Sequence, residues 1–183
     1  LANLTADERR IYLLQYETPA RQLLDQAPDT DSLAVLEEVT RRYFQTTAGA
    51  EATDRLGSYY MDHSDFRAAA MVFDRLRRSR ERAAPWEPML SLKTAVCWQL
   101  AGDADKCIAT LRDLKKAARQ NFVTLGGKRV AFFDNDDDAL HWLAMLTHDL
   151  PSFAEATSEQ WALFAGNPQR NSHSTKAAAT LVP

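Results

Sequence analysis

The sequence predicts an all-α chain of stacked antiparallel helix pairs, with one small β-hairpin at residues 121–133. Three observations predict it. Phe66, Ala69, Ala70, Phe73 and Leu76 recur at the spacing of one face of a 3.6-residue period. Acids gather where helices should begin (Asp7 and Glu8, Asp29 and Asp31, Asp65, Asp103 and Asp105). Bases gather where they should end (Arg41 and Arg42, Arg75 to Arg82, Lys115 to Arg119). That polarity is what the helix macrodipole favours. Finally, 6 Gly and 7 Pro in 183 residues leave long stretches without a breaker, and 45% hydrophobic content suits a helix-rich core.

Taken in order, Thr5 and Glu8 form a capping-box signature, with Ile11, Leu13 and Leu14 as the apolar side of a first helix. Thr18-Pro19 predicts the start of a second helix, because Pro suits the first helical position; Leu23, Leu24 and Ala27 would be its buried face. Asp29 and Thr30 offer caps for a third, in which Leu33, Leu36, Val39 and Tyr43 recur at three- and four-residue steps. Thr46 and Thr47 restart the chain into a helical hairpin from Thr53 to Leu76. Its first helix carries Leu56 and Tyr60 one turn apart, with Gly57 beside them where a neighbour could approach closely, and His63 and Ser64 form the turn.

A helix from Trp86 to Ala101 follows, with Met89, Leu92, Val96 and Leu100 along one side and Gly102 as its stop. Asp103 opens the next, where Cys107, Ile108, Leu111, Leu114 and Ala118 form a stripe. Val123 and Leu125, then Val130 and Phe132, alternate around Gly126-Gly127, which predicts a hairpin with a primed turn. A last helix runs from about Asp136 to Thr147, burying Leu140, Leu143 and Ala144 with Trp142 at its edge. Beyond Pro151 the period fades, and residues 168–180 are rich in Asn, Ser, Thr and Ala. The domain reading is a helical unit over 1–150 and a linker or lead-in over 151–183.

The hairpin is similar to a tetratricopeptide repeat (TPR), whose helix-turn-helix unit carries an L-G-x-x-Y, small-residue and aromatic pattern. Leu56, Gly57 and Tyr60 match its first helix, and Ala69 and Phe73 its second. Thr53 stands where that family favours Trp, and no Pro closes the unit before Pro85. A weaker echo follows in AGDADKCIATL, through Gly102, Cys107 and Leu111, with Ser64 and Gly102 38 residues apart.

A second resemblance lies at residues 159–172, EQWALFAGNPQRNS. Trp161, Phe164, Gly166, Asn167, Pro168, Arg170, Asn171 and Ser172 resemble the W-x-x-F-x-G-[DN]-P-x-R-N-[GS] stretch that introduces the β-propeller of large bacterial cell-envelope proteins with PQQ-like repeats. These are related to the outer-membrane assembly propeller and to quinoprotein dehydrogenases. The segment from Arg41 to Phe73 also looks like the helical region before that propeller. The resemblance implies a TPR-like domain, in the cell envelope or periplasm, whose propeller is not in this chain. A propeller blade needs four strands, so no cofactor is expected here, PQQ included. The expected partners are another protein and the propeller itself.

Composition and motifs bound the chemistry. No apolar run is long enough to cross a bilayer, and a formal charge of −3 argues against bulk electrostatic binding of nucleic acid. The chain opens on Leu1, so its N-terminus gives no reading of compartment. Cys97 and Cys107 fit no common zinc spacing. They could face each other as a disulfide, but two buried free thiols suit the burial habit of Cys better.

Asp134-Asn135-Asp136-Asp137-Asp138 invites a calcium reading, yet Ala139 and Met145 stand where an EF-hand needs Gly and Glu, so a helix N-cap cluster fits better. Asp62, His63 and Ser64 hold the residue types of a triad, but a tight turn capped by Asp65 accounts for them. His141 and His148 could share a helix face without a third ligand at metal spacing. Arg75 to Arg82 is the candidate anion or nucleic-acid site; a solvated helix end accounts for it more simply. Gly126-Gly127-Lys128 lacks the context of a phosphate loop.

No catalytic or metal site is therefore expected. The reading is a non-enzymatic interaction module; the alternatives are an accessory domain of a quinoprotein-type oxidoreductase and, more weakly, a helical nucleic-acid binder.

Overall fold

The computed structural model describes residues 6–26, 32–118 and 120–149. Among them the chain forms eight helices and one two-stranded sheet: α1 (Ala6–Asp25), α2 (Leu33–Arg42), α3 (Thr47–Asp62), α4 (Phe66–Arg77), α5 (Arg80–Ala83), α6 (Met89–Leu100), α7 (Ala104–Ala117), β1 (Phe122–Leu125), β2 (Lys128–Ala131) and α8 (Ala139–Asp149). The all-α expectation, with its hairpin at 121–133, is what the structure has. Thr5, Ala27 to Asp31, Arg119 and everything from Leu150 onward, including Trp161 through Ser172, lie outside the described residues.

The central packing runs through α3, α4, α6 and α7, each helix lying against the next. The link from α3 to α4 is a Schellman turn. Ser64 has φ +63°, its N–H donates to Met61 O at 3.0 Å, and Asp65 N–H donates to Tyr60 O at 2.8 Å. Asp65 then caps α4 by accepting from Ala68 N–H at 3.2 Å. The link from α6 to α7 repeats the device. Gly102 has φ +78°, its N–H donates to Gln99 O at 3.1 Å, Asp103 N–H donates to Trp98 O at 2.9 Å, and the Asp103 carboxylate accepts from Lys106 N–H at 3.2 Å. The buried positions repeat in the same register after each turn: Ala69, Phe73 and Leu76 in α4, Cys107, Leu111 and Leu114 in α7. Arg67, at the start of α4, reaches the Ala101 carbonyl past the end of α6, so these two helices run in opposite directions.

Several expectations need correction. Thr18-Pro19 starts no new helix: α1 is continuous, with Pro19 inside it. An interior Pro costs about 3 kcal/mol, and contacts on both sides of it hold the helix together. Before it, the Glu17 carboxylate accepts from the N–H groups of Thr47 and Ala48 at 2.7 and 3.0 Å; after it, Arg21 pairs with Glu51 at 2.6 Å, and Ala20 and Leu24 are buried. Ile11 and Leu14 do not form the buried side of α1, being 63% and 78% exposed. The inward face at that end is instead aromatic, with Tyr12, Tyr16 and Tyr43 in sequence and Tyr12 OH donating to Arg42 O at 3.2 Å. The N-cap of α2 is Ser32.

α6 is no amphipathic stripe. Every residue from Leu90 to Trp98 is buried, because α4 packs on one side and α7 on the other, while Leu100 emerges in the last turn, 48% exposed. The helix begins at Met89 rather than Trp86, after α5 and a 3-10 turn over Ala84–Trp86. The burial of Lys93 is met by partners: Nζ lies 3.4 Å from both Asp54 Oδ1 and Ser58 Oγ and 5.5 Å from the centre of the Phe73 ring. In α8, Ala139, Leu143 and Leu146 turn inward at i, i+4 and i+7, which leaves Ala144 exposed rather than buried.

Candidate functional site

The repeat-signature residues serve packing and turns. Leu56, Gly57, Ala69 and Phe73 are buried in α3 and α4, Tyr60 is half-buried, Gly102 forms the second turn, and Cys107 and Leu111 are buried in α7. Tyr60 OH donates to Glu37 Oε1 at 2.9 Å, and burial, with that carboxylate, pushes its pKa up to about 12. Cys97 and Cys107 are free, buried thiols, each pushed up to about 12 by burial.

The other motifs resolve locally. Asp62 ends α3, and His63 and Ser64 form the turn. His63 stacks on Tyr59 at 4.0 Å and its Nδ1–H donates to the Tyr59 carbonyl at 2.8 Å. The arginine run is largely a solvated helix end, with Arg75, Arg78 and Arg80 exposed. Arg75 and Arg82 lie 4.1 and 5.2 Å from the centre of the Phe44 ring, while Arg77 and Arg78 both pair with Asp74, at 3.1 and 2.7 Å. In the acidic run, Asn135 is the N-cap position of the 3-10 turn Asp136–Asp138 but makes no side-chain cap bond. Asp136 instead pairs with Arg112 of α7, which lowers its pKa. Among the described residues, no three His, Cys, Asp or Glu side chains converge to hold a metal ion.

What the structure does build is a groove between β2 and α8. Gly126 and Gly127, at φ +53° and +79°, make the primed turn that returns the chain antiparallel, pairing Val123 with Val130. Val123 and Leu125 enter the core. Past β2, Phe132 and Phe133 are buried at right angles to each other, and the Trp142 ring stacks on Phe132 at 5.5 Å and meets Phe133 edge-on at 5.6 Å. Trp142 Nε1–H donates to Ala131 O at 2.7 Å. Lys115 of α7 fixes the backbone beneath, donating to Phe133 O at 2.5 Å and Asp134 O at 3.2 Å.

The groove encloses about 600 Å³. Val130, Phe132, Phe133, Trp142, Met145 and Leu146 supply its apolar lining, and Asp134, Asp138 and His141 its polar groups. Met145 is 49% exposed. Such a lining suits apolar groups more than polar ones, and among the described residues nothing in it pairs a nucleophile with a base.

Periodicity takes these residues one at a time, with Trp142 at a helix edge and the aspartates as a cap. The signal it passed over is Phe132-Phe133 after a strand. Adjacent aromatics there point to opposite faces, so one of them needs a partner from outside the sheet. Compared with protein-family models, curated proteins and solved structures, the chain matches none.

Proposed function

We propose that this chain is a non-enzymatic protein-protein interaction module, a scaffold of TPR-like helix pairs from a cell-envelope protein that carries a PQQ-like β-propeller. One observation carries the scaffold part: the turns at Ser64 and Gly102 use the same hydrogen bonds, and the same buried register follows each. A helical unit used twice, with its neighbours stacked against it, is how repeat scaffolds present extended binding surfaces. The envelope setting and the propeller rest on the resemblance of Trp161, Phe164, Gly166, Asn167, Pro168, Arg170 and Asn171 to a propeller lead-in.

The test has two arms. A reading frame that continues past Pro183 into repeated strand patterns supports the propeller, and an immediate stop refutes it. Chemical cross-linking in intact cells, followed by capture of the full-length protein, should recover one reproducible protein partner. Recovery of none refutes the interaction role. The same lead-in favours a second reading, an accessory domain of a quinoprotein-type oxidoreductase. Full-length protein that neither binds PQQ nor oxidises alcohols or sugars removes it. A nucleic-acid role is disfavoured by the pairing of Arg77 and Arg78 with Asp74.

A further inference from the structure

We infer that the groove between β2 and α8 seats an extended peptide segment of a partner protein, one with a bulky apolar side chain flanked by Lys or Arg. The inference deepens the interaction role proposed above and rests on it.

Size and lining define the anchor. About 600 Å³ lined by Phe132, Trp142 and Met145 accommodates one or two large apolar side chains. A thioether and an aromatic ring adapt to such a side chain without demanding one shape. Charge defines the flank. Among the described residues Asp134 and Asp138 stand in the lining and no Lys or Arg does, so a basic flank is favoured there over an acidic one.

Strand geometry defines the backbone. Among the described residues the sheet has two strands, and β2 is one of its edges. Its register pairs Val130 with Val123, and Phe132 N–H donates to Asn121 O at 3.1 Å. Alternation along an antiparallel pair therefore turns the backbone groups of Arg129 and Ala131 away from β1. The Trp142 indole takes the Ala131 carbonyl at 2.7 Å, which places that outward edge along the groove. With that carbonyl taken, a segment laid in the groove can extend along β2 from the Arg129 N–H and carbonyl while its side chains enter the pocket alternately.

The test uses the full chain and a defined probe, the acetylated and amidated peptide Lys-Leu-Lys-Phe-Lys-Leu, with a control in which every Lys is Glu. Isothermal titration should give one-site binding of the Lys peptide, with the Glu peptide at least about tenfold weaker. Met145→Asp puts a carboxylate in the apolar lining and should weaken the Lys peptide about tenfold or more. Because Met145 is half exposed, this variant should keep the wild-type circular dichroism spectrum and melting temperature. Asp134→Asn with Asp138→Asn should weaken binding about threefold to tenfold and flatten its dependence on salt.

No binding of the Lys peptide, equal binding of the Glu peptide, or no effect of Met145→Asp overturns the inference. So does a wild-type chain that binds no Lys peptide while the Trp161→Ala, Phe164→Ala double variant binds it, because the groove would then be held by the chain's own segment. A cross-linked partner captured equally by wild type and Met145→Asp overturns the groove and leaves the interaction role standing. Capture of no partner by either overturns the role itself.

Discussion

The ring of Phe73 fills the space that a side chain on Gly57 would need: a Cβ placed on Gly57 would lie 2.4 Å from Phe73 Cε1 and 2.6 Å from Cδ1. This contact sets how closely α3 and α4 approach, with a fully buried phenylalanine on one helix and hydrogen on the other. Gly57→Ala should therefore destabilise the fold by about 1–3 kcal/mol through overpacking. Helix propensity alone would give the opposite sign, by about 1 kcal/mol. Urea unfolding checks it, and Phe73→Leu in the Gly57→Ala background should recover part of the loss. A stabilised Gly57→Ala would show that the helices are free to separate.

Ala69 tests the same interface from the other helix. It is fully buried one turn before Phe73. Ala69→Leu should lower stability by about 1–3 kcal/mol, and an unchanged melting temperature would refute the close packing of this pair.

The buried cation of α6 gives a third test. Lys93→Met keeps the aliphatic stem but leaves the Asp54 carboxylate, 17% exposed, without its ammonium partner at 3.4 Å. The single variant should lose about 1–3 kcal/mol. Lys93→Met with Asp54→Asn should recover most of it, because both charges are then gone. A double variant no better than the single would place the cost elsewhere, for example at Ser58 or the Phe73 ring.

The two thiols predict a pH dependence. Burial holds both folded-state pKa values at about 12, against about 8.5 for a free thiol. The unfolded chain loses these protons first, so the stability they contribute is intact below about pH 8 and declines as pH rises from 8.5 towards 12. The urea midpoint should fall between pH 7 and pH 10, and less steeply in a Cys97→Ala, Cys107→Ala variant. The native protein should also resist a disulfide-exchange reagent that labels both cysteines once denaturant is added. Rapid labelling of the native protein would contradict their burial.

The parts of the fold legible in sequence were those decided locally. Thr46, Asp65 and Asp103 stand in sequence as helix starts, and each makes its cap bond. Gly126-Gly127 specified its turn because L side chains rarely adopt positive φ at two successive residues. What escaped was decided by distant partners. Pro19 reads as a boundary until Glu17 and Arg21 are seen holding α3 from either side of it. α6 reads as one-sided because periodicity cannot register two neighbours at once, and Leu100 was misplaced for that reason. The groove was invisible because its floor joins a strand end to a helix eleven residues later through the indole of Trp142.

The paired turns make the chain modular in a practical sense. Because each aspartate both follows a left-handed residue and launches the next helix, residues 65–102 form a cassette whose two cut points share one chemistry. A duplicate spliced in after Gly102, with Ala95→Gly to give Phe73 the room that Gly57 gives it, would begin on Asp65 where Asp103 now stands, presenting Ala69, Phe73 and Leu76 to α6 in place of Cys107, Leu111 and Leu114. Lengthened proteins of this design would gain helical signal by circular dichroism in proportion to the inserted helices, with the terminal elements unaltered.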